Sequence, residues 1–221
     1  MKAMILAAGR GERMRPLTDH IPKPLLTVAG KPLIAHTIEQ LIAGGFTDIV
    51  INHAHLGQQI EKQLGNGQQF GANIAYSPEG DEALETAGGI IHALPLLGDK
   101  PFLVVNGDIA TNFPYADLHE VSVALAHIVL IDNPDHNPQG DFGLANHNFV
   151  TNDGQPRYTF SGIGIYHPDL FKDTAPGKNK LAPLLRKAIS AEKVTGQYFG
   201  DFWMDIGTPE RLQALEKHLT T

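Results

Sequence analysis

Residues 3–26 read AMILAAGRGERMRPLTDHIPKPLL. The first six are apolar without interruption and end at a glycine, the pattern of a short strand buried on both faces of a sheet. No helix can follow directly, because Pro16, Pro22 and Pro24 interrupt every helical register through the next stretch. That stretch instead carries Gly9, Gly11, Arg10, Arg13, Arg15 and Lys23. Ligands of open α/β sheets sit beyond the carboxyl ends of the strands, which is where residues 8–24 fall. Glycines without Cβ let backbone N–H groups approach an anion, arginine forks grip phosphate oxygens, and prolines limit the freedom lost on binding. The segment therefore reads as a polyphosphate cradle, with a solvated basic turn as the plain alternative. A dinucleotide fingerprint would require glycine at position 14, which is methionine, and the only Gly-Lys pairs are followed by Pro or Asn rather than the Ser or Thr of a nucleotide-hydrolase loop.

Working outward, strands and helices alternate. Helices are expected over 31–45, 56–65 and 84–97, and strands over 48–53, 73–77, 101–108 and 122–131. This rhythm predicts a mainly parallel sheet covered by helices on both faces. After it, GDFGLANHNFV and RYTFSGIGIY read as antiparallel strands laid on that sheet. Helices near 180–193 and 208–219 close the chain, the last with Thr208 as N-cap and Leu212, Leu215 and Leu219 as its buried stripe. His53 and His55 lack a third ligand at identifiable spacing and read as loop residues rather than a metal site.

At 221 residues the chain is expected to form one domain. A net charge of −7 argues against general nucleic-acid binding, which needs a broad basic surface. No cysteine occurs, so disulfides and thiolate metal sites are excluded. The opening apolar run is too short for a signal peptide, and no run approaches the ~20 apolar residues that span a bilayer, so a cytoplasmic location without membrane partners is expected.

The loop LAAGRGERMRPLT with PKPLL.V.GKPLI, together with YSPEG…LETAGG, VVNGD and FWMDIGTPE, resembles the sugar-1-phosphate nucleotidyltransferases over nearly the whole chain. Within that family, NPQGDFGL and YTFSGI resemble the bacterial N-acetylmuramate-1-phosphate uridylyltransferases of cell-wall recycling. The resemblance implies a three-layer, Rossmann-like mixed sheet of the nucleotide-diphospho-sugar transferase type. It also implies a nucleotide-binding part over about residues 1–110 and a sugar-binding part over about 111–221. The implied partners are UTP and a sugar 1-phosphate, the cofactor is Mg²⁺, and the state is a monomer or small homo-oligomer. Mannose-1-phosphate guanylyltransferase and glucose-1-phosphate uridylyl- or thymidylyltransferase are rival activities. A non-catalytic binding module on the same fold is the alternative of another class, opposed by the joint presence of both glycines, Arg13, Lys23, Asp108 and Asp205.

Residue by residue, the resemblance places the metal on Asp108 and Asp205. Arg13 falls to the triphosphate and its leaving group, and Lys23 to the α-phosphate or the sugar phosphate. Ala8, Gly9, Gly11 and Glu12 would add contacts to the nucleotide, and Glu82, Glu85 and Thr86 would read the base. Gly88 and Gly89 either allow the base to approach closely or pack helix on sheet. Asn106, Gly140, Asp141, Gly143, Gly162 and Asp205 fall on the sugar side. A Glu-Lys-Pro run found in many relatives is replaced here by NDGQPRYTF. Arg157 or Lys23 would then hold the sugar phosphate, and Arg157 is a candidate partner for a carboxylate on the sugar.

Overall fold

The computed structural model describes residues 1–80 and 82–220. Its strands are β1 (Ala3–Leu6), β2 (Thr27–Val28), β3 (Lys31–Pro32), β4 (Asp48–His53), β5 (Asn73–Pro78), β6 (Phe102–Asn106), β7 (Ile109–Thr111), β8 (Ala126–Ile131), β9 (Phe142–Leu144), β10 (Val150–Thr151), β11 (Arg157–Tyr166), β12 (Val194–Tyr198) and β13 (Trp203–Asp205). The helices are α1 (Leu33–Ala43), α2 (Gly57–Leu64), α3 (Glu85–Leu97), α4 (Leu181–Ser190) and α5 (Pro209–Thr220).

One nine-stranded sheet holds the fold, with β5-β4-β1-β6 as its parallel part and the long β11 joining β6 antiparallel. On its other flank β11 pairs with β8 and, through its first residues, with β9, while β12 lies parallel beside β8. The antiparallel strands are thus inserted into the sheet rather than laid upon it. The pairing of Ile163–Tyr166 with Phe102–Val105 leaves no gap for a separate layer. The expected helix faces are real. Ile5 joins α1 (Ile34, Ile38, Leu41) and α2 (Ile60, Leu64) on one side of the sheet. The neighbouring Met4 joins α3 (Ala87, Ile90, Ala93) and α4 (Leu185, Ala188, Ile189) on the other. Such burial, at about 25 cal/mol per Å² of apolar surface, is the main force holding the layers.

Two expectations require correction. The strand expected over 101–108 stops short: β6 ends at Asn106, the chain turns at Gly107-Asp108, and a further strand, β7, leaves the sheet to pair with β13. In α5, Leu215 is buried and Leu212 packs beside it against Val28, Leu33 and Ile206, but Leu219 is exposed because this small cluster ends before the last turn.

Candidate active site

β1, β4 and β6 deliver their carboxyl ends to one edge, and there the chain surrounds a cavity of about 470 Å³. The cradle loop forms one wall. It is built from short 3-10 turns at Glu12–Met14, Leu17–Asp19 and Lys23–Leu25, which the prolines permit and a continuous helix would not. Gly11 sits at φ 69°, and a Cβ there would come within 3.0 Å of Thr18 and 3.2 Å of Lys23. Thr18 Oγ1 donates to the Gly11 carbonyl (2.8 Å), and Arg10 Nη1 donates to the Thr18 carbonyl (2.7 Å). His55 also reaches that carbonyl, at 3.3 Å, so it props the cradle.

The four basic residues divide into two kinds. Arg10 and Arg15 serve the loop itself: both meet Asp19, Arg15 at 2.7 Å and Arg10 at 3.4 Å, and both lie near Glu12. The hydrogen bond from Arg15 holds the Asp19 carboxyl below its ordinary range. Arg13 has no hydrogen bond or ion pair among the described residues and lines the cavity. Lys23, only 11% exposed, donates to Asp108 Oδ2 at 2.6 Å.

Asp108 stands at the end of β6, as the sequence predicts, in the turn between β6 and β7. Asp205 is the last residue of β13, opposite Ile109, and the Ile206 N–H donates to the Asp108 carbonyl at 2.7 Å. This short antiparallel pair sets the backbones of the two aspartates side by side; Asp108 lines the cavity, whereas Asp205 lines neither this cavity nor the second one and turns its carboxylate to Arg211. A Cβ at Gly207 would fall 3.1 Å from Arg13 Nη2 and 3.2 Å from Asp205 Oδ2, so the two side chains flank that glycine without forming an ion pair. Arg211 donates to Asp205 Oδ2, and His136 Nε2 lies 3.6 Å from its Oδ1.

Two carboxylates are hard oxygen donors, and Mg²⁺ commonly takes one or two of them with water and phosphate oxygens. Among the described residues no group of three or more His, Asp or Glu could hold a metal alone. Asp108 and Asp205 are oxygen donors of the type such a metal takes, and each stands beside a cation, Lys23 and Arg211, that balances its charge.

Of the other expected residues, Ala8, Gly9, Gly11, Glu12, Glu85, Thr86 and Asn106 line the cavity. Glu85 adopts φ 63°, a strained setting for a residue with a side chain, at the head of α3. Glu82 points elsewhere, exposed and paired with Lys178 at 2.5 Å. Gly88 and Gly89 are buried behind the wall. A Cβ at Gly88 would strike the Gly177 carbonyl, and one at Gly89 would strike Glu79 and Asn52. The Gly88 N–H bonds to the Asn179 carbonyl, so the pair packs helix on neighbours and Gly88 has no donor to give a base.

Of the residues expected on the sugar side, Asp141 lines a second cavity beside Asn106, and its Oδ2 accepts from the Phe160 N–H at 2.8 Å. Gly162, at φ 82°, lies so close to Asn106 that a Cβ would meet its amide at 2.5 Å, which makes it the support of Asn106. Gly140 and Gly143 are turn and strand positions packed on Tyr158 and Gly154 and do not line either cavity. Arg157 does not either. Its Nε, Nη1 and Nη2 donate to the carbonyls of Gln139, Asn152 and Asp141 at 3.2, 2.9 and 2.8 Å, so three of its five N–H donors are spent on the backbone, at least one on each nitrogen.

Sequence reasoning missed Asn52 and Glu79. Asn52, 2% exposed at the end of β4, accepts from the Ala7 N–H (2.8 Å) and donates to Glu79 Oε1 (2.5 Å), while Glu79 Oε2 accepts from the Leu84 N–H (2.7 Å). This network fixes the entry to the cradle against the loop before α3. A buried asparagine inside the apolar run DIVINH was the available signal. His53, next to it, is also buried and bonds Glu61 at 2.7 Å, a strand residue rather than a loop one.

A basic, glycine-bearing loop, Asp108 beside Lys23 and a neighbouring second cavity lie together at the carboxyl edge of the sheet. The chain belongs to the nucleotidyl transferase family, whose profile matches residues 2–221. It is 54% identical over 221 residues, covering 96% of each chain, to an N-acetylmuramate alpha-1-phosphate uridylyltransferase of Neisseria meningitidis. A second protein of that name, from Caulobacter vibrioides, is 33% identical over 98% of this chain and 96% of its own. In three dimensions it is similar to a crystal structure from Bacillus anthracis described as a candidate glucose-1-phosphate thymidylyltransferase in complex with sucrose. The TM-score is 0.83 at 26% identity, covering 99% of this chain and 94% of that one.

Proposed function

We propose that the protein transfers a uridylyl group from UTP to N-acetylmuramic acid 1-phosphate, giving UDP-N-acetylmuramic acid and pyrophosphate. The observation that carries the reaction class is the cavity in which Lys23 and Asp108 are joined at 2.6 Å while Arg13 lies beside them without a partner. The substrate pair rests on the end-to-end similarity to the two relatives of that activity.

The chemistry asks mainly for positioning. The second pKa of a phosphate monoester lies near ~6, so the attacking oxygen is already ionised at neutral pH and needs no general base. That oxygen forms a bond to the α-phosphorus of UTP as the bond from the α-phosphorus to the bridging oxygen of pyrophosphate breaks. Two anions must be brought together in line, and charge grows on the leaving group. The cradle N–H groups of Ala8 to Glu12 and the Arg13 guanidinium are assigned to the β- and γ-phosphates, where charge develops. Lys23 is assigned to the α-phosphate, Thr86 and Glu85 to the nucleoside, and Asn106 and Asp141 to the sugar hydroxyls. Mg²⁺ on Asp108 and Asp205 would supply charge neutralisation and polarisation of the phosphates. One domain over 1–221, its nucleotide part near 1–110 and its sugar part near 111–221, is the organisation this assignment implies. No helix among the described residues is long and apolar enough to cross a membrane, and we place the reaction among soluble substrates in the cytoplasm, in peptidoglycan recycling.

Pyrophosphate release from UTP, GTP, dTTP and ATP against a panel of sugar 1-phosphates tests the reading. UTP with N-acetylmuramic acid 1-phosphate should give the highest kcat/KM. Faster turnover of GTP with mannose 1-phosphate, or of UTP or dTTP with glucose 1-phosphate, would overturn the substrate assignment. No pyrophosphate with any pair would overturn the reaction class.

A further inference from the structure

The second cavity, about 300 Å³, shares Glu85, Thr86 and Asn106 with the first, so it opens from the point where a sugar phosphate would meet the nucleotide. Its walls come from β9, β11 and α4, and they carry two cations, Lys180 and Arg186. Lys180 caps the start of α4, and Arg186 stands in the second turn of that helix. Neither side chain makes a hydrogen bond or an ion pair among the described residues. The Arg186 guanidinium is held only over the Phe142 ring, 5.1 Å from its centroid. Such stacking orients the fork and leaves its edges free to donate. Of the two carboxylates in the cavity, Asp141 already accepts from the Phe160 N–H, and Glu85 lies at the border with the nucleotide site. Neither neutralises the cations.

Unpaired basic groups facing a cavity beside a phosphate site call for a second anion on the same ligand. The proposed sugar carries one: N-acetylmuramic acid 1-phosphate bears a lactyl carboxylate on its C3 oxygen besides the phosphate on C1, and N-acetylglucosamine 1-phosphate does not. We infer that Lys180 and Arg186 form the carboxylate subsite by which this protein selects N-acetylmuramic acid 1-phosphate. This rests on the function proposed above and deepens it. It also transfers the role from Arg157, whose three donor nitrogens are engaged with backbone carbonyls, to two residues whose donors are not.

Steady-state kinetics with UTP and each of the two sugar phosphates test it on the wild type and on the Lys180→Gln, Arg186→Gln and Arg186→Lys variants, each checked for folding by circular dichroism. Both side chains are exposed, so the variants are expected to fold. Losing a charge-assisted hydrogen bond is worth on the order of 10- to 100-fold in kcat/KM. That loss should fall on N-acetylmuramic acid 1-phosphate far more than on N-acetylglucosamine 1-phosphate and should appear mainly in KM. Arg186→Lys should recover part of it. If the wild type prefers the carboxylated sugar and both glutamine variants keep the full preference, the subsite is wrong and the proposed function stands. A wild type without that preference would overturn the function and the subsite together.

Discussion

Arg13 and Lys23 lie in the same wall yet differ in what the folded protein asks of them. Lys23 is nearly covered and neutralises Asp108, so its removal disturbs the fold and the chemistry together. Arg13 touches no carboxylate and reaches over Gly207, so its charge is available to a ligand. Arg13→Ala should therefore leave thermal unfolding within about 1 °C of wild type, as expected of a surface substitution. Loss of charge stabilisation on departing pyrophosphate should lower kcat by roughly 100-fold or more. A combined melting and kinetic measurement checks both, and a variant with full kcat would return the cradle to the status of a structural turn. Asp205 offers the same lesson with the opposite sign. Its pairing with Arg211 means that a carboxylate at the right place in sequence already has a basic partner before any metal is considered.

Among the elements, β9 and β10 are short pieces whose flanking loops Arg157 ties together. From the start of β11 it bonds the loops at Gln139–Asp141 and Asn152, the segments that flank β9 and β10. Arg157→Ala removes three charge-assisted bonds and leaves carbonyls unpaired, a loss of roughly 2 kcal/mol or more. The expected result is a melting temperature lowered by several degrees, with no recovery in Arg157→Lys, because one ammonium cannot reach three diverging carbonyls. An unchanged melting temperature in Arg157→Ala would mean that the loops hold themselves. Many of the elements were legible in the sequence. AMILAA, DIVINH and PFLVVN declare themselves as buried strands, and the Ile34-Ile38-Leu41 spacing declares α1. The pairing of β7 with β13 was not, since strands of three residues are too short to show a period, and it is this pairing that sets the backbone of Asp205 beside that of Asp108. Nor can a sequence say which guanidinium is already engaged. Arg157, a candidate on the sequence, proves to be bonded to three carbonyls, while Arg186, which the sequence does not single out, makes no hydrogen bond with its side chain among the described residues.

For the whole molecule, the sheet's antiparallel side turns on β8, held between β11 and β12. His127 on β8 is buried there, 2.8 Å from Thr195 Oγ1 and 3.1 Å from Gln197 Oε1 on β12. Burial pushes its pKa below the ordinary 6.5, opposed in part by the hydrogen bond to Gln197. The folded protein thus binds this proton less readily than the unfolded chain, so stability is present above pH 6.5 and declines as pH falls from there toward the lowered pKa. Melting temperatures measured from pH 7.5 to 5.5 should fall for the wild type and fall less steeply for His127→Gln. Parallel profiles would assign the slope to the other ten of the eleven histidines or to the carboxylates.

If the sheet edge joins a sugar phosphate to the α-phosphorus of UTP, a label on that phosphorus must travel into the nucleotide sugar. With UTP labelled at the α-phosphate, N-acetylmuramic acid 1-phosphate and Mg²⁺, all transferred label should appear in UDP-N-acetylmuramic acid, matched one for one by unlabelled pyrophosphate. The Asp108→Asn protein should form that product at least about 100-fold more slowly, because transition-state charge at the phosphates loses its support. Label found in free UMP or UDP, with no nucleotide sugar formed, would contradict the account.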